Sequence, residues 1–258
     1  MSTALITGAS SGIGKAFAQE LAARNTNLVL VARSKNKLNQ LAQELKEKHK
    51  IQVDVIVKDL TEPNAAAAVF DITKTQGLTI DLLINNAGLG SYGDFAESDG
   101  ERQVKIIQLN ILSLVDLTHK FLPLMRQRRS GSIINVSSIT GFQPIPYVSV
   151  YAASKAFIIS FSEALWAENY QYGIRVLVTC PGPIETNFFT EANFPPALAG
   201  STEKVFSCQE VVSESLKALE EGQPTVILGD FPTQIRSILA RLVPRKILLK
   251  MLAKRFKF

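Results

Sequence analysis

Residues 3–14 read TALITGASSGIG. Thr3, Ala4, Leu5, Ile6 and Thr7 form a short apolar, β-prone run. It stops abruptly in small and hydroxylated residues. Apolar character returns at Ile13, and Phe17 and Leu21 follow four apart among alanines, which is helical spacing. A strand therefore passes into a helix through a turn with almost no side-chain bulk. Such a turn is needed where something must approach the backbone closely.

The same alternation continues outward from this turn. Apolar segments recur at 27–32 (NLVLVA), 51–57 (IQVDVIV), 80–84 (IDLLI), 132–136 (SIINV), 174–179 (IRVLVT) and 225–228 (TVIL). Most are nearly continuous, as expected of strands buried on both faces of a parallel sheet. Helical patterns lie between them, at 13–24, 35–48, 63–76, about 101–128, about 149–170 and 208–221. The reading is a single doubly wound, Rossmann-type α/β domain: a seven-stranded parallel sheet with helices on both faces and right-handed crossovers. Gly77, Gly131, Gly173 and Gly222 fall where left-handed helix caps are expected. The domain is assigned to residues 1–230. It includes an aperiodic segment at about 188–207, containing Pro195 and Pro196, which is expected to act as a flap.

Composition narrows the function classes. The chain of 258 residues is 46% hydrophobic and 20% charged, enough for a substantial core. Two cysteines make neither a disulfide framework nor a metal quartet, so a reducing, cytoplasmic setting is expected. The first strand begins at residue 3, so no leader peptide is expected, and no apolar run approaches the ~20 residues of a membrane span. The net charge is +5, but eight of the 28 Lys/Arg lie in residues 231–258, which hold no acid. The remaining 20 basic residues face 23 acidic ones, a net −3 that argues against nucleic-acid binding by the body.

At a strand–helix turn of an open parallel sheet, free N–H groups and the positive helix end attract a phosphate. Gly8, Gly12 and Gly14 let a pyrophosphate approach, and Ser10 and Ser11 add hydroxyl donors. Farther on, Tyr151 and Lys155 are four residues apart on a helical segment and share a face. A lysine ammonium beside a phenol is expected to lower the phenol's pKa from ~10 toward a value useful for general acid–base work. Ser138 follows a strand, at the edge where ligands bind in such sheets.

The spacing Thr7-Gly8-x-x-x-Gly12-Ile13-Gly14 resembles the short-chain dehydrogenase/reductase family, in particular its NADP-preferring 3-ketoacyl and hydroxysteroid reductases. Asn85-Asn86-Ala87-Gly88, the pattern Ser138-x12-Tyr151-x3-Lys155 and Pro181-Gly182 carry the same resemblance, which covers Thr3 to about Thr186. It implies a catalytic set of Asn110, Ser138, Tyr151 and Lys155. In that family an asparagine distorts the long helix after the fourth strand and holds a water against the active lysine. Asn110 fits that place. By the same resemblance Asn86, Ala87 and Gly88 shape the cofactor floor, and Pro181, Gly182, Ile184 and Thr186 line the nicotinamide side. Asp59 and Leu60 correspond to the pair that meets the adenine. Homodimers or homotetramers are implied as well, through the helical segments near 101–128 and 149–170.

The second strand ends Val31-Ala32-Arg33-Ser34, without the acidic residue that would hold the ribose hydroxyls of NAD. Arg33 offers a guanidinium fork to a 2′-phosphate, assisted by Ser34 and Lys37, so NADP(H) is expected over NAD(H). Ser11 stands where some NADP-preferring relatives carry a second basic residue. Leu89, Tyr92, Phe95, Phe142, Ile145, Tyr147, Phe188, Phe189 and Phe194 are expected on loops around the site and suggest an apolar carbonyl or alcohol substrate. The expected activity is reduction of such a carbonyl. Alcohol oxidation, and an NADP(H)-binding regulator without catalysis, are the alternatives. The tail, residues 231–258, carries Lys246, Lys250, Lys254 and Lys257 at helical spacing opposite Leu248 and Leu252, with Pro244 where a helix would begin. Such a helix either packs its apolar face on the protein or lies on an anionic membrane surface.

Overall fold

The computed structural model describes residues 1–184, 186–195, 205–229 and 243–257. The strands β1 (Thr3–Thr7), β2 (Asn27–Ala32), β3 (Val53–Val57), β4 (Leu82–Asn85), β5 (Gly131–Val136), β6 (Ile174–Pro181) and β7 (Thr225–Leu228) form one sheet in the order β3-β2-β1-β4-β5-β6-β7. Every pairing is parallel. The strand order reverses between β1 and β4, and a crevice opens beyond their carboxyl ends.

Strand alternation sends successive side chains to opposite faces. Ala4, Ile6, Leu28 and Leu30 pack with Phe17 and Leu21 of α1 (Gly12–Ala23), Leu38 and Leu45 of α2 (Lys35–His49), and Leu216 of the helix Cys208–Glu220. Leu5, Val29, Val31 and Leu83 meet Val69 of α3 (Ala65–Thr75) and Leu117, Phe121 and Met125 of a helix spanning Ser113–Arg128. Fully burying each such side chain stabilises the fold by roughly 1.5–3 kcal/mol. Ile51 and Ile80 are buried but lie just outside β3 and β4, so the apolar run overstates the paired strand by two residues at each start.

The segment expected as one helix over 101–128 is interrupted. α4 (Gly100–Ile107) leads into a π turn at Gln108–Leu112, and α5 (Ser113–Arg128) follows. α6 (Ser149–Asn169) packs across this region and onto β6. Gly77, Gly173 and Gly222 have φ of 66°, 75° and 72°, as expected of left-handed caps. Gly131 does not: Arg129, at φ 52°, caps α5, and Gly131 opens β5 where a Cβ would strike the Met125 side chain.

Of the expected flap, residues 188–195 and 205–207 are described. α7 (Phe188–Glu191) is a single turn, and Phe206 bridges to Ile184. Pro196 lies outside the described residues. α8 (Cys208–Glu220) starts with a capping box between Ser207 and Glu210. Of the tail, residues 243–257 are described, and α9 (Arg245–Arg255) begins directly after Pro244. Its Leu248 and Leu252 are buried with Phe256, which packs against Ile145, Val148 and Tyr151. Among the described residues no helix is long and apolar enough to cross a membrane, and no group of three metal-ligating side chains occurs.

Candidate active site

One cavity of about 970 Å³ runs along the crevice, from Arg33, Ser34 and Lys37 over the glycine turn to Tyr151 and on to α9. The turn is built by clamping the ends of β1 and β4 together. The Thr7 hydroxyl accepts from the Asn86 and Ala87 N–H groups at 2.9 and 3.0 Å and donates to the Ile84 carbonyl at 3.3 Å. The Asn86 amide donates to the Thr7 carbonyl at 2.9 Å. Gly8, at φ 66°, has no room for a Cβ, which would lie 2.8 Å from that amide. A Cβ on Gly14 would run into the Gly8 carbonyl. Gly14 therefore closes the turn from behind and, unlike Gly8, Ser10, Ser11, Gly12 and Ile13, does not line the cavity.

Ser11 precedes α1 without capping it by its side chain, so the helix start offers backbone donors to a ligand. This uncapped start and the bare glycine floor fit a dinucleotide pyrophosphate. Asn86, Ala87 and Gly88 form one side of the cavity beyond it, and Pro181, Gly182, Ile184 and Thr186 form the other. At the far end Arg33 lies 3.7 Å from Asp59, with Leu60 beside it. Burial works against charge on Asp59, yet the Thr61 N–H and hydroxyl and the Arg33 guanidinium together hold its carboxyl below the usual value.

At the other end three elements bring the polar residues together. Ser138 follows β5 and caps the turn Ile139–Phe142, its hydroxyl accepting from the Thr140 N–H at 3.2 Å and donating to the Pro181 carbonyl at 3.4 Å. Tyr151 and Lys155 are both buried on α6. The Lys155 ammonium donates to the Val136 carbonyl at 2.9 Å and lies 5.6 Å from the centre of the Tyr151 ring.

The expected lowering of the Tyr151 pKa is not what this environment produces. Burial pushes the phenol up to about 12, and the nearby Ser138 and Thr140 side chains pull it back only in part. Burial also lowers Lys155 to about 8, with a weak opposing pull from Cys180. Both groups are pushed toward their neutral forms, because removing water costs the charged form most.

This burial has a stability consequence. The unfolded lysine keeps its proton to about 10.5, so the penalty for burying the charge is full below pH 8. It relaxes as the pH rises from 8 toward 10.5. Lys155→Met is expected to raise unfolding stability by about 1–3 kcal/mol at pH 7 and by much less at pH 10. Urea melts at the two pH values check this, and a variant less stable than wild type at pH 7 would contradict it.

Asn110 lies in the π turn and is buried, but it does not line the cavity. Its amide accepts from the Leu89 N–H at 2.8 Å and donates to the Leu89 carbonyl at 3.0 Å and to the Ser154 hydroxyl at 2.9 Å. Ser154 in turn donates to the Tyr151 carbonyl at 2.7 Å. Asn110 thus ties the Gly88–Leu89 loop to the tyrosine-bearing turn of α6. A Cβ on Gly88 would fall 3.4 Å from Asn110 Oδ1 and 3.6 Å from Lys155 Nζ, so the loop at Gly88 passes close to both groups.

Of the apolar residues expected around the substrate, Leu89, Ile145, Phe188, Phe189 and Phe194 line the cavity. Phe95 is 63% exposed, and Phe142 packs away from it on Ile158 and Ile159. Tyr92 and Tyr147 do not line the cavity; Tyr92 packs on the cluster of Ile145, Val148 and Tyr151, and its ring pairs with that of Tyr147. The Tyr92 hydroxyl donates to the Phe256 carbonyl at 2.6 Å. The sequence reading missed Thr140, Gln143 and Val148 near Tyr151 and, from the tail, Val243, Leu248, Met251, Leu252, Arg255 and Phe256, all of which line the cavity. The signal for the tail was the Leu248/Leu252 stripe, which demands a burial partner without naming one.

A short chain dehydrogenase signature matches residues 2–195. The chain is 34% identical to rat 17-beta-hydroxysteroid dehydrogenase type 3 over 98% of its length and 80% of that protein's. It is 39% identical to the very-long-chain 3-oxoacyl-CoA reductase of Anas platyrhynchos over 71% of its length, spanning 60% of that protein. A short-chain dehydrogenase from Sphingobium yanoikuyae in complex with NADPH superposes with a TM-score of 0.82 at 34% identity, covering 88% of this chain and 87% of that one. A 7beta-hydroxysteroid dehydrogenase superposes with a TM-score of 0.86 at 28% identity, covering 98% and 96% of the two chains. With its doubly wound sheet, its glycine cradle and the Ser138, Tyr151 and Lys155 side chains on one cavity, the chain belongs to the short-chain dehydrogenase family, oxidoreductases that interconvert carbonyls and alcohols with a nicotinamide cofactor.

Proposed function

We propose that this enzyme reduces an apolar ketone to an alcohol with NADPH. The observation that carries the reading is the continuity of one cavity between two unlike ends. One end presents Arg33, Ser34 and Lys37, with no carboxylate at the end of β2. The other end is an apolar chamber walled by Ile145, Val148, Phe188, Leu248 and Phe256, with Tyr151 between the two. Related proteins are named for hydroxysteroid and very-long-chain 3-oxoacyl-CoA substrates, and one structural relative is a bulky-bulky ketone specific alcohol dehydrogenase.

When bound, the nicotinamide supplies the hydride that adds to the carbonyl carbon. The chain's own residues handle the oxygen. Tyr151, held neutral by burial, donates its proton to the developing alkoxide, and the Ser138 hydroxyl holds that oxygen in place. Lys155, fixed at the Val136 carbonyl, has two further N–H groups for the cofactor ribose and the phenol. Asn110 acts through Leu89 and Ser154 as a positioning residue. Gly8, Ser10, Ser11, Gly12 and Ile13 cradle the pyrophosphate, while Asp59 and Leu60 meet the adenine.

Two further parts of the reading concern setting and assembly. Neither Cys180 nor Cys208 is in a disulfide, which supports a cytoplasmic enzyme. Val104 and Ile107 on α4 and Phe157 on α6 are 53%, 42% and 40% exposed on helices that touch each other, which supports self-association.

Turnover of 3-ketoacyl thioesters, ketosteroids, quinones and aromatic aldehydes, with NADPH and NADH in parallel, tests the proposal. NADPH-dependent reduction of the bulky ketones is expected to be fastest. Tight NADPH binding without turnover of any substrate would leave a binding protein instead.

A further inference from the structure

We propose that the outer face of α9 docks on an anionic lipid bilayer and holds the substrate end of the cavity at the membrane surface. The helix is amphipathic toward two different partners. Its inner stripe is the buried pair Leu248 and Leu252, followed by the partly buried Phe256, which packs on the cluster of Ile145, Val148 and Tyr151. Its outer stripe, Lys246, Lys250 and Lys254, repeats every four residues, with Lys257 next in line, and all four are exposed. No acidic residue occurs between Phe231 and Phe258 to neutralise them along the chain. Residues 1–230 carry 20 basic against 23 acidic residues, so the basic excess lies in residues 231–258, and six of the eight Lys/Arg there fall between Arg245 and Lys257.

Two observations favour a bilayer over another polyanion. First, apolar side chains flank the lysines: Ile247 is 54%, Leu249 41% and Met251 62% exposed. A nucleic-acid backbone has no use for them. At a lipid interface they enter the headgroup boundary while the lysine stems snorkel and their ammonium groups meet anionic headgroups. Second, Met251 both lines the cavity and reaches the surface. It marks an apolar path from the outer face of α9 to the chamber beside Tyr151. A bilayer-dissolved substrate is thereby drawn from the surface on which the helix rests. Docking rests on α9 alone, whereas the path presupposes the apolar-carbonyl reading above.

The full chain is tested by flotation with neutral phosphatidylcholine vesicles and with vesicles containing about 30% phosphatidylserine, at low salt. Binding is expected on the anionic vesicles only, with release as salt rises from about 0.05 to about 0.5 M. The variant K246Q/K250Q/K254Q alters no cavity-lining residue. It is expected to lose at least tenfold in vesicle partitioning while keeping its melting temperature and its turnover of a water-soluble ketone. Absence of binding to anionic vesicles at low salt, or equal binding by the variant, overturns docking. Duplex DNA that displaces the protein from vesicles as readily as soluble anionic lipid does would also overturn it, in favour of a general polyanion site. Turnover of the water-soluble ketone is read separately, so loss of the enzymatic reading and loss of docking are distinguishable.

Discussion

Replacing Tyr151 with Phe is expected to lower carbonyl reduction by about 10²–10⁴-fold while leaving cofactor binding nearly unchanged. The substitution removes one oxygen and nothing else. The ring stays 5.3 Å from Phe188 and packed with Ile145 and Val148, so the cavity keeps its shape. What disappears is the proton donor beside the Ser138 hydroxyl. Because burial pushes the phenol up to about 12, Tyr151 remains protonated throughout the physiological range and is always competent to donate. The Tyr151 titration by itself therefore imposes no fall in reductive turnover between about pH 6 and pH 9. The checks are kcat and KM with NADPH, together with a cofactor titration by fluorescence. A variant that retains a tenth or more of wild-type kcat would remove Tyr151 from its assigned role.

Arg33→Ala is expected to reduce the preference for NADPH over NADH by about 10–100-fold, a loss matching the roughly 1.5–3 kcal/mol of a hydrogen bond to a charged group. Arg33 is two-thirds exposed, at 66%, so salt screens its attraction and the lower part of that range is favoured at physiological ionic strength. Asp59, 3.7 Å away, keeps the guanidinium near the cavity mouth. The effect should fall on KM for NADPH, with KM for NADH and kcat little altered, because the 2′-phosphate lies far from the reacting carbon. An unchanged ratio of kcat/KM between the two cofactors would show that Ser34 and Lys37, or the helix start, carry the discrimination.

Much of the architecture was legible in the residue order, for local reasons. Continuous apolar runs of five or six residues have nowhere to go but a sheet covered on both faces, and the intervening 3.6-residue periods supply the covers. The four-residue step between Tyr151 and Lys155 places them on one helix face wherever that helix lies. A turn as bare as Gly8 to Gly14 requires close approach, whatever approaches it.

Other features depend on contacts between distant parts of the chain. The π turn at Gln108–Leu112 exists where Asn110 is pinned to Leu89 and Ser154; the family resemblance implied a distortion there, whereas the helix breaker that local propensity singles out, Pro123, lies inside α5. Phe95 and Phe142 have the same character as Phe188 and Phe194, yet only the latter pair faces the cavity. Tyr151 is raised rather than lowered, because dehydration of its site outweighs the pull of the Ser138 and Thr140 side chains.

The sequence by itself determined which elements form and which chemistry they carry, because periodicity, turn residues and short spacings act over a few residues. Only the tertiary structure decided that the tail helix ends on the cavity, with the Phe256 carbonyl bonded to Tyr92 across 164 residues. An amphipathic stripe states that a face must be buried, but the choice of burial partner is made by shape and desolvation after the chain has folded back on itself.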